Sequence, residues 1–198
     1  DAAVVLGKKG DAAAIRLRAV RLEGLGRERR NVEGGQGVQS LRRVGLGVIG
    51  IEGAQLGRCK LPRPNPFERF EFGVARRELD ERLGASKAEW KICFFHHPLY
   101  TSGRYRAVSY VHRRLLEPLL VRHGVDVVLS GHEHIYQRSR LQEGIMYFVS
   151  GAAGSVRRGD GAESPVIARS YSQDLHFLLV EIDRDMLHFQ AISRTGTT

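Results

Sequence analysis

An α/β fold is predicted from about Phe67 to the C-terminus, on three observations. Short continuous apolar runs alternate with stretches of helical periodicity; the runs end in loops holding Gly and His; and two last apolar segments flank a short charged turn. Val74, Leu79 and Leu83 lie near helical spacing among Arg and Glu, and Gly84 is expected to close that helix. Trp90 leads into Ile92-Cys-Phe-Phe95, a run typical of a strand buried on both faces. After a Gly- and Ser-containing loop at 101–106, a helix is expected from about Ser109 to His123, with Leu115, Leu116, Leu119 and Leu120 facing the core and Gly124 as its stop. Val125–Ser130 and Ile145–Ser150 read as further buried strands, and Leu175–Ile182 with Met186–Ile192 as a C-terminal β-hairpin around Asp183-Arg-Asp185.

The first 66 residues are unlike the rest. They hold 13 Lys and Arg against 6 Asp and Glu, 12 of the 23 Gly, no His and none of the 15 aromatics. A segment without aromatics has poor means of building a core, so residues 1–66 are expected to be weakly structured, or to be the text of a shifted frame of GC-rich DNA. The Pro-rich stretch Leu61–Pro66 then forms the junction to residues 67–198. The net charge of +9 is concentrated in this first segment, where no aromatic is interleaved to stack on bases, which argues against nucleic acid as the partner. No run of 18 apolar residues and no signal-peptide pattern occurs. Cys93, inside an apolar run and far from Cys59, reads as a buried thiol.

Two strand ends carry histidines: Phe95 runs into His96-His97-Pro98, and Ser130 into Gly131-His132-Glu133-His134. Groups that bind ligands in open α/β sheets collect beyond the carboxyl ends of the strands. Gly131 can supply a sharp turn, and residues 132 and 134 point their imidazoles to one side if the backbone stays extended. Imidazole suits Zn, Fe and Mn, so the two blocks together favour a metal site over surface histidines.

The stretches Lys91–Gly103, Leu116–Leu119, Gly124–Tyr136, Gly144–Gly154 and Leu187–Ser193 resemble the calcineurin-like metallophosphoesterases, in their purple-acid-phosphatase-like branch, over about residues 74–194. The resemblance implies a partial four-layer α/β/β/α sandwich and a phosphoester hydrolase using two divalent or trivalent ions (Fe, Zn or Mn), with water activated at the metals. It implies His96 and His132 as ligands of one ion and His134 as a ligand of the other; His97 is read as hydrogen-bonding to a ligand or to the phosphate, with a plain structural role as the alternative. Tyr136 and Arg138 are read as a core aromatic and a solvated cation. Members of this branch are often extracytoplasmic, and a phosphate ester is the expected substrate.

The family's three earlier ligand blocks, Asp-x-His, Gly-Asp and Gly-Asn-His, have no counterpart in this sequence. Gly10-Asp11 is only a distant echo, and Gly159-Asp160 falls in the wrong order and reads as a loop turn. Without a bridging carboxylate at most one metal is expected in this chain, and the fragment is expected to fall short of full activity. The competing expectation is a non-catalytic binding module with at most one metal and a basic N-terminal arm for polyanions.

Overall fold

The computed structural model describes Val4–Gly7, Leu46–Gly50 and residues 66–197, with side chains described from 76 to 196. Most of residues 1–66, including Gly10-Asp11 and the Pro-rich junction up to Asn65, lies outside the described residues. Two strands fall within that segment: β1 (Val4–Gly7) and β2 (Leu46–Gly50).

Helix α1 (Pro66–Ala85) begins on a proline, which suits a first helical position because its missing N–H would have had no partner there. Leu79 and Leu83 are fully buried from α1. Strand β3 (Trp90–Phe95) follows, then α2 (Arg106–Arg122) and β4 (Val127–Ser130). Helix α2 ends as Gly124 predicts: at φ +65° it donates to Val121 O while Val125 donates to Leu120 O, satisfying the last carbonyls.

The remaining strands are β5 (Tyr136–Ser139), β6 (Met146–Ser150), β7 (Ile167–Tyr171), β8 (His176–Asp183), β9 (Met186–Ser193) and β10 (Gly196–Thr197). A six-stranded sheet has the order β2-β3-β4-β6-β5-β7. Its first four strands are mutually parallel, and β5 runs antiparallel to both β6 and β7. In the second sheet β9 pairs with β8 along one edge and with β1 and β10 along the other.

The layers follow from alternation along the strands. Cys93, Phe95, Val128 and Tyr147 pack on Leu79, Leu83, Leu116, Leu119 and Leu120 of the two helices. Trp90, Ile92, Val127, Met146 and Phe148 point to the opposite face and meet Leu187, Phe189 and Ala191 of β9. Covering both faces is why these strands read as continuous apolar runs. The result is the helix, sheet, sheet part of an α/β/β/α sandwich, closed by the C-terminal hairpin. Trp90 Nε1 donates to Arg184 O in the hairpin turn at 2.8 Å, which fixes the second sheet on the first.

Several expectations change. Leu115 is 43% exposed, because the buried stripe of α2 runs Ser109, His112, Leu116, Leu119 and Leu120, and Leu115 falls to one side of it. Phe94 is 39% exposed rather than buried, since the second sheet does not cover the end of β3. Arg138 is half-buried, with its guanidinium 5.3 Å from the centre of the Phe189 ring, so it is not a solvated cation. Tyr136 is a core aromatic, as expected. Gly159, at φ +78°, sits in a loop turn. Strands β5 and β7 were not anticipated. Among the described residues no helix is long and apolar enough to cross a membrane.

Two outcomes test this packing. Phe148, 1% exposed, faces Phe189 at 4.6 Å, so Phe148→Ala is expected to cost about 3–5 kcal/mol in urea unfolding. Burial, and secondarily the Asp126 carboxylate, pushes the Cys93 thiol up to about 12. In a Cys59→Ser background Cys93 should therefore resist iodoacetamide at pH 8 and react only in denaturant; reaction in the folded protein would contradict the burial.

Candidate metal centre

The site is built by strand register. Phe95 of β3 lies opposite Ser130 of β4 in a parallel pair, and Gly131 N–H extends the ladder to His96 O at 3.1 Å. The residues after each strand, His96-His97 and Gly131-His132, therefore emerge side by side at the carboxyl edge of the sheet. His132 Nδ1 lies 3.0 Å from His96 Nε2. The His97 and His132 rings are 4.3 Å apart at an interplanar angle of 41°. Ligating nitrogens of His96, His97 and His132 all lie within 4.8 Å of one another, the one such group of His, Cys, Asp or Glu among the described residues.

His134 is not in this group, and local backbone geometry gives the reason. His132 has φ +64°, and Glu133 N–H donates to Gly131 O at 2.7 Å, the i to i+2 bond of a γ-turn. The chain is thus not extended at His132, which removes the condition under which residues 132 and 134 would point to one side. The sharp turn falls on His132 rather than on Gly131, whose position would admit a Cβ with no contact closer than 3.9 Å. A non-glycine residue held at positive φ costs of order 1–3 kcal/mol and persists only where its surroundings impose it.

Those surroundings are a buried polar anchor. The Glu133 side chain is fully buried and accepts the Tyr105 N–H at 2.7 Å. Gln137, also fully buried, accepts Thr101 Oγ1–H at 2.9 Å and the Ser102 N–H at 3.1 Å, and donates to Ser102 Oγ at 2.6 Å. Loop 101–105 is therefore pinned across the site, and it lays the Tyr105 ring against His132 at 4.3 Å. The approach is close enough that a Cβ on Gly103 would sit 2.7 Å from the Glu133 carboxyl carbon. Arg157 lies 3.6 Å from Glu133 Oε2 and stands over the Tyr105 ring at 5.5 Å.

These supports were not legible as function: Glu133, Gln137, Tyr105 and Arg157 carry no motif of their own. His112 was also missed. It sits one turn before Leu116 on the buried stripe of α2, with its ring 5.3 Å from that of His97. Helical spacing alone could have placed it facing the sheet.

At His97, His112 and His132 the electrostatics favour the neutral imidazole. Burial, followed by the neighbouring histidines, pushes His97 down to about 3. Burial and then His132 push His112 down to about 4. His132 is lowered by burial, then by His96, Arg157 and His134. Burial raises Glu133, against the backbone N–H bonds and Arg157 that favour its charged form. A neutral imidazole is the form that coordinates a metal. His97 Nδ1 is buried without a hydrogen-bond partner, so the donor set of three imidazoles fits one ion of the Zn, Fe or Mn type. No carboxylate among the described residues joins the group.

A model of the calcineurin-like phosphoesterase family matches residues 33–136, a span holding all four strand-end histidines. The chain belongs to the calcineurin-like phosphoesterase family. Its relatives lie in the purple-acid-phosphatase-like branch. It is 35% identical over 85 residues to purple acid phosphatase 17 of Arabidopsis thaliana, covering 42% of this chain and 25% of that protein. It is 30% identical over 96 residues to mouse (Mus musculus) tartrate-resistant acid phosphatase type 5, covering 47% of this chain and 27% of the relative. The chain thus spans about a quarter of the length of these curated relatives. Among solved structures, the GAP50 anchor in the inner membrane complex of Plasmodium aligns with a TM-score of 0.63 at 22% identity, covering 76% of this chain and 46% of that one. A purple acid phosphatase from yellow lupin (Lupinus luteus) seeds aligns with a TM-score of 0.54 at 16% identity, covering 77% and 29%. At these identities the structural matches show the shared metallophosphatase fold.

A pH dependence follows from the buried imidazoles. Unfolded, His97 and His112 titrate near pH 6.5; folded, at about 3 and about 4. Between these values the unfolded chain holds the protons and the folded one does not. Stability is therefore whole above pH 6.5 and is lost on acidification towards pH 4, by up to about 1.4 kcal/mol per pH unit per histidine. Urea unfolding in chelator at pH 7 and pH 5 should show this loss, and a His97→Gln, His112→Gln double variant should reduce it.

Proposed function

We propose that this chain carries the metal-binding portion of a phosphoester hydrolase site, in which His96, His97 and His132 hold one metal ion. The observation that supports this most directly is the convergence of three imidazoles at the carboxyl ends of two adjacent parallel strands. When bound, the metal supplies Lewis-acid polarisation of a phosphoryl oxygen and activation of water. The protein's own residues do the rest. The γ-turn at His132 and the Tyr105 ring against it fix the direction of that imidazole. Low proton affinity keeps His97 neutral under mildly acid conditions. Arg157, tied by its backbone N–H to His134 O at 2.9 Å, keeps a positive charge beside the site, complementary to a phosphate dianion.

A second ion, as the family resemblance implies, would draw on His134, with its carboxylate coming from outside the three-histidine group. The absence of a carboxylate from that group favours a second reading, a binding module that keeps a single ion and does not turn over substrate.

Equilibrium dialysis against Zn, Mn or Fe with elemental analysis tests the site. Wild type should take up about one ion per chain. His132→Ala and His97→Ala should each weaken uptake by well over tenfold, since even indirect supports of metal ligands are worth about 10–100-fold. His188→Ala, on β9, should leave it unchanged. Uptake insensitive to the three site histidines would overturn the proposal. With metal added, hydrolysis of p-nitrophenyl phosphate that His132→Ala abolishes supports the hydrolase; metal uptake without turnover supports the binding module.

A further inference from the structure

The outer side of helix α2 is apolar and basic. Tyr110, Val111, Leu115 and Val121 are exposed there, and helical spacing sets them on one side together with the exposed Arg106, Arg114 and Arg122. Glu117, the one acid of α2, turns away from this side, because its carboxylate accepts Tyr100 OH at 2.8 Å and Tyr147 OH at 3.1 Å. Those four apolar side chains are half of the eight large ones exposed among the described residues. Three of the other four, Phe177, Leu179 and Met186, lie on the opposite side of the layers, on the outer face of the β8–β9 hairpin. Leu178, Val180 and Ile182 alternate with them and point into the core between the sheets. Here the charges are mainly acidic: Glu181, Asp183 and Asp185 are exposed, with Arg184 as the cation of the hairpin turn. Exposed apolar surface is thus gathered into two patches of opposite charge, and apolar patches of this kind mark interaction surfaces.

We propose that the chain associates with itself through these two patches, the outer side of α2 in one copy lying on the outer face of the β8–β9 hairpin in the next. The contact buries apolar side chains from both patches and sets arginines against carboxylates. The lengths agree: the 17 residues of α2 span about 25 Å, and the 8 residues of β8 about 26 Å. Contact between like patches is disfavoured. Helix α2 against α2 sets arginine on arginine with no acid between them, and hairpin against hairpin sets Glu181 and Asp183 on their own kind. The arrangement also extends the layers. Both described helices pack on the far face of the six-stranded sheet, so no described helix covers the outside of the second one. The neighbour's α2 adds a helical layer there, in the order helix, sheet, sheet, helix. Because the two patches differ and face opposite ways, each added copy leaves one of each open, and growth does not close at two.

Sedimentation velocity on the full chain tests this. The weight-average mass should rise with concentration and pass that of a dimer. Arg114→Glu and Glu181→Arg should each weaken the association by about tenfold or more, since each sets like charges across the contact. Both positions are exposed and outside the imidazole group, so the metal assignment does not depend on the outcome. Circular dichroism and the thermal transition report that each variant is folded. Each variant also keeps intact the patch that the other has lost. An equal mixture of the two should therefore recover a 1:1 complex that neither forms alone, which contact between like patches would not give. A chain that stays monomeric at every concentration leaves the patches to other partners and overturns the proposal. So does a mass that stops at the dimer, or a mixture that associates no better than its components.

Discussion

The parallel pairing of β3 with β4, which sets Phe95 opposite Ser130, is the constraint from which the site is built. Two strands that end at the same level deliver their next residues to the same point, and here those residues are His96 and His97 on one side and His132 on the other. The pairing holds because both faces of the sheet are covered. Helices α1 and α2 close one face and the β8–β9 hairpin closes the other, so a slip in register would expose apolar side chains on both sides. The rigidity of the site thus comes from the core beneath it, and not from the loops that carry the histidines.

On that platform the loops are shaped by buried polar groups. Glu133 and Gln137 lie on the segment that follows the histidine turn, and both spend their side chains on loop 101–105. Burying Glu133 requires the chain to reverse between 131 and 133, and the strain of that reversal falls on His132. The turn that presents this imidazole is therefore held by contacts some 30 positions away in sequence. The same contacts bring Tyr105 over the ring. A change in Gly103, which admits no side chain against Glu133, would be felt at the three histidines without touching them.

Much of this was legible in the sequence, for physical reasons. Strands β3, β4 and β6 are covered on both faces, so their runs of Val, Ile and Phe stand out from any context. The stop at Gly124 is chemically encoded, since few other residues accept φ +65°. The histidines declared themselves by position, directly after apolar runs. What stayed hidden depends on tertiary contacts. Strand β7, largely exposed, and β5, with Gln and Arg in its four residues, have no apolar signature. Residues β1 and β2 take their pairing partners from β9 and β3, which short Val-, Leu- and Gly-containing runs cannot announce by themselves. The pair His132 and His134 follows the same logic: a two-residue spacing aligns side chains only on extended backbone, and the γ-turn at His132 removes that condition.

The central claim is that three imidazoles share one ion. X-ray absorption spectroscopy of the Zn-loaded chain measures this directly. The expected shell holds three histidine nitrogens at about 2.0–2.1 Å, with the multiple-scattering pattern of imidazole. A shell made of oxygen or sulfur, or one that keeps all three imidazoles after His97→Ala and His132→Ala, would contradict it.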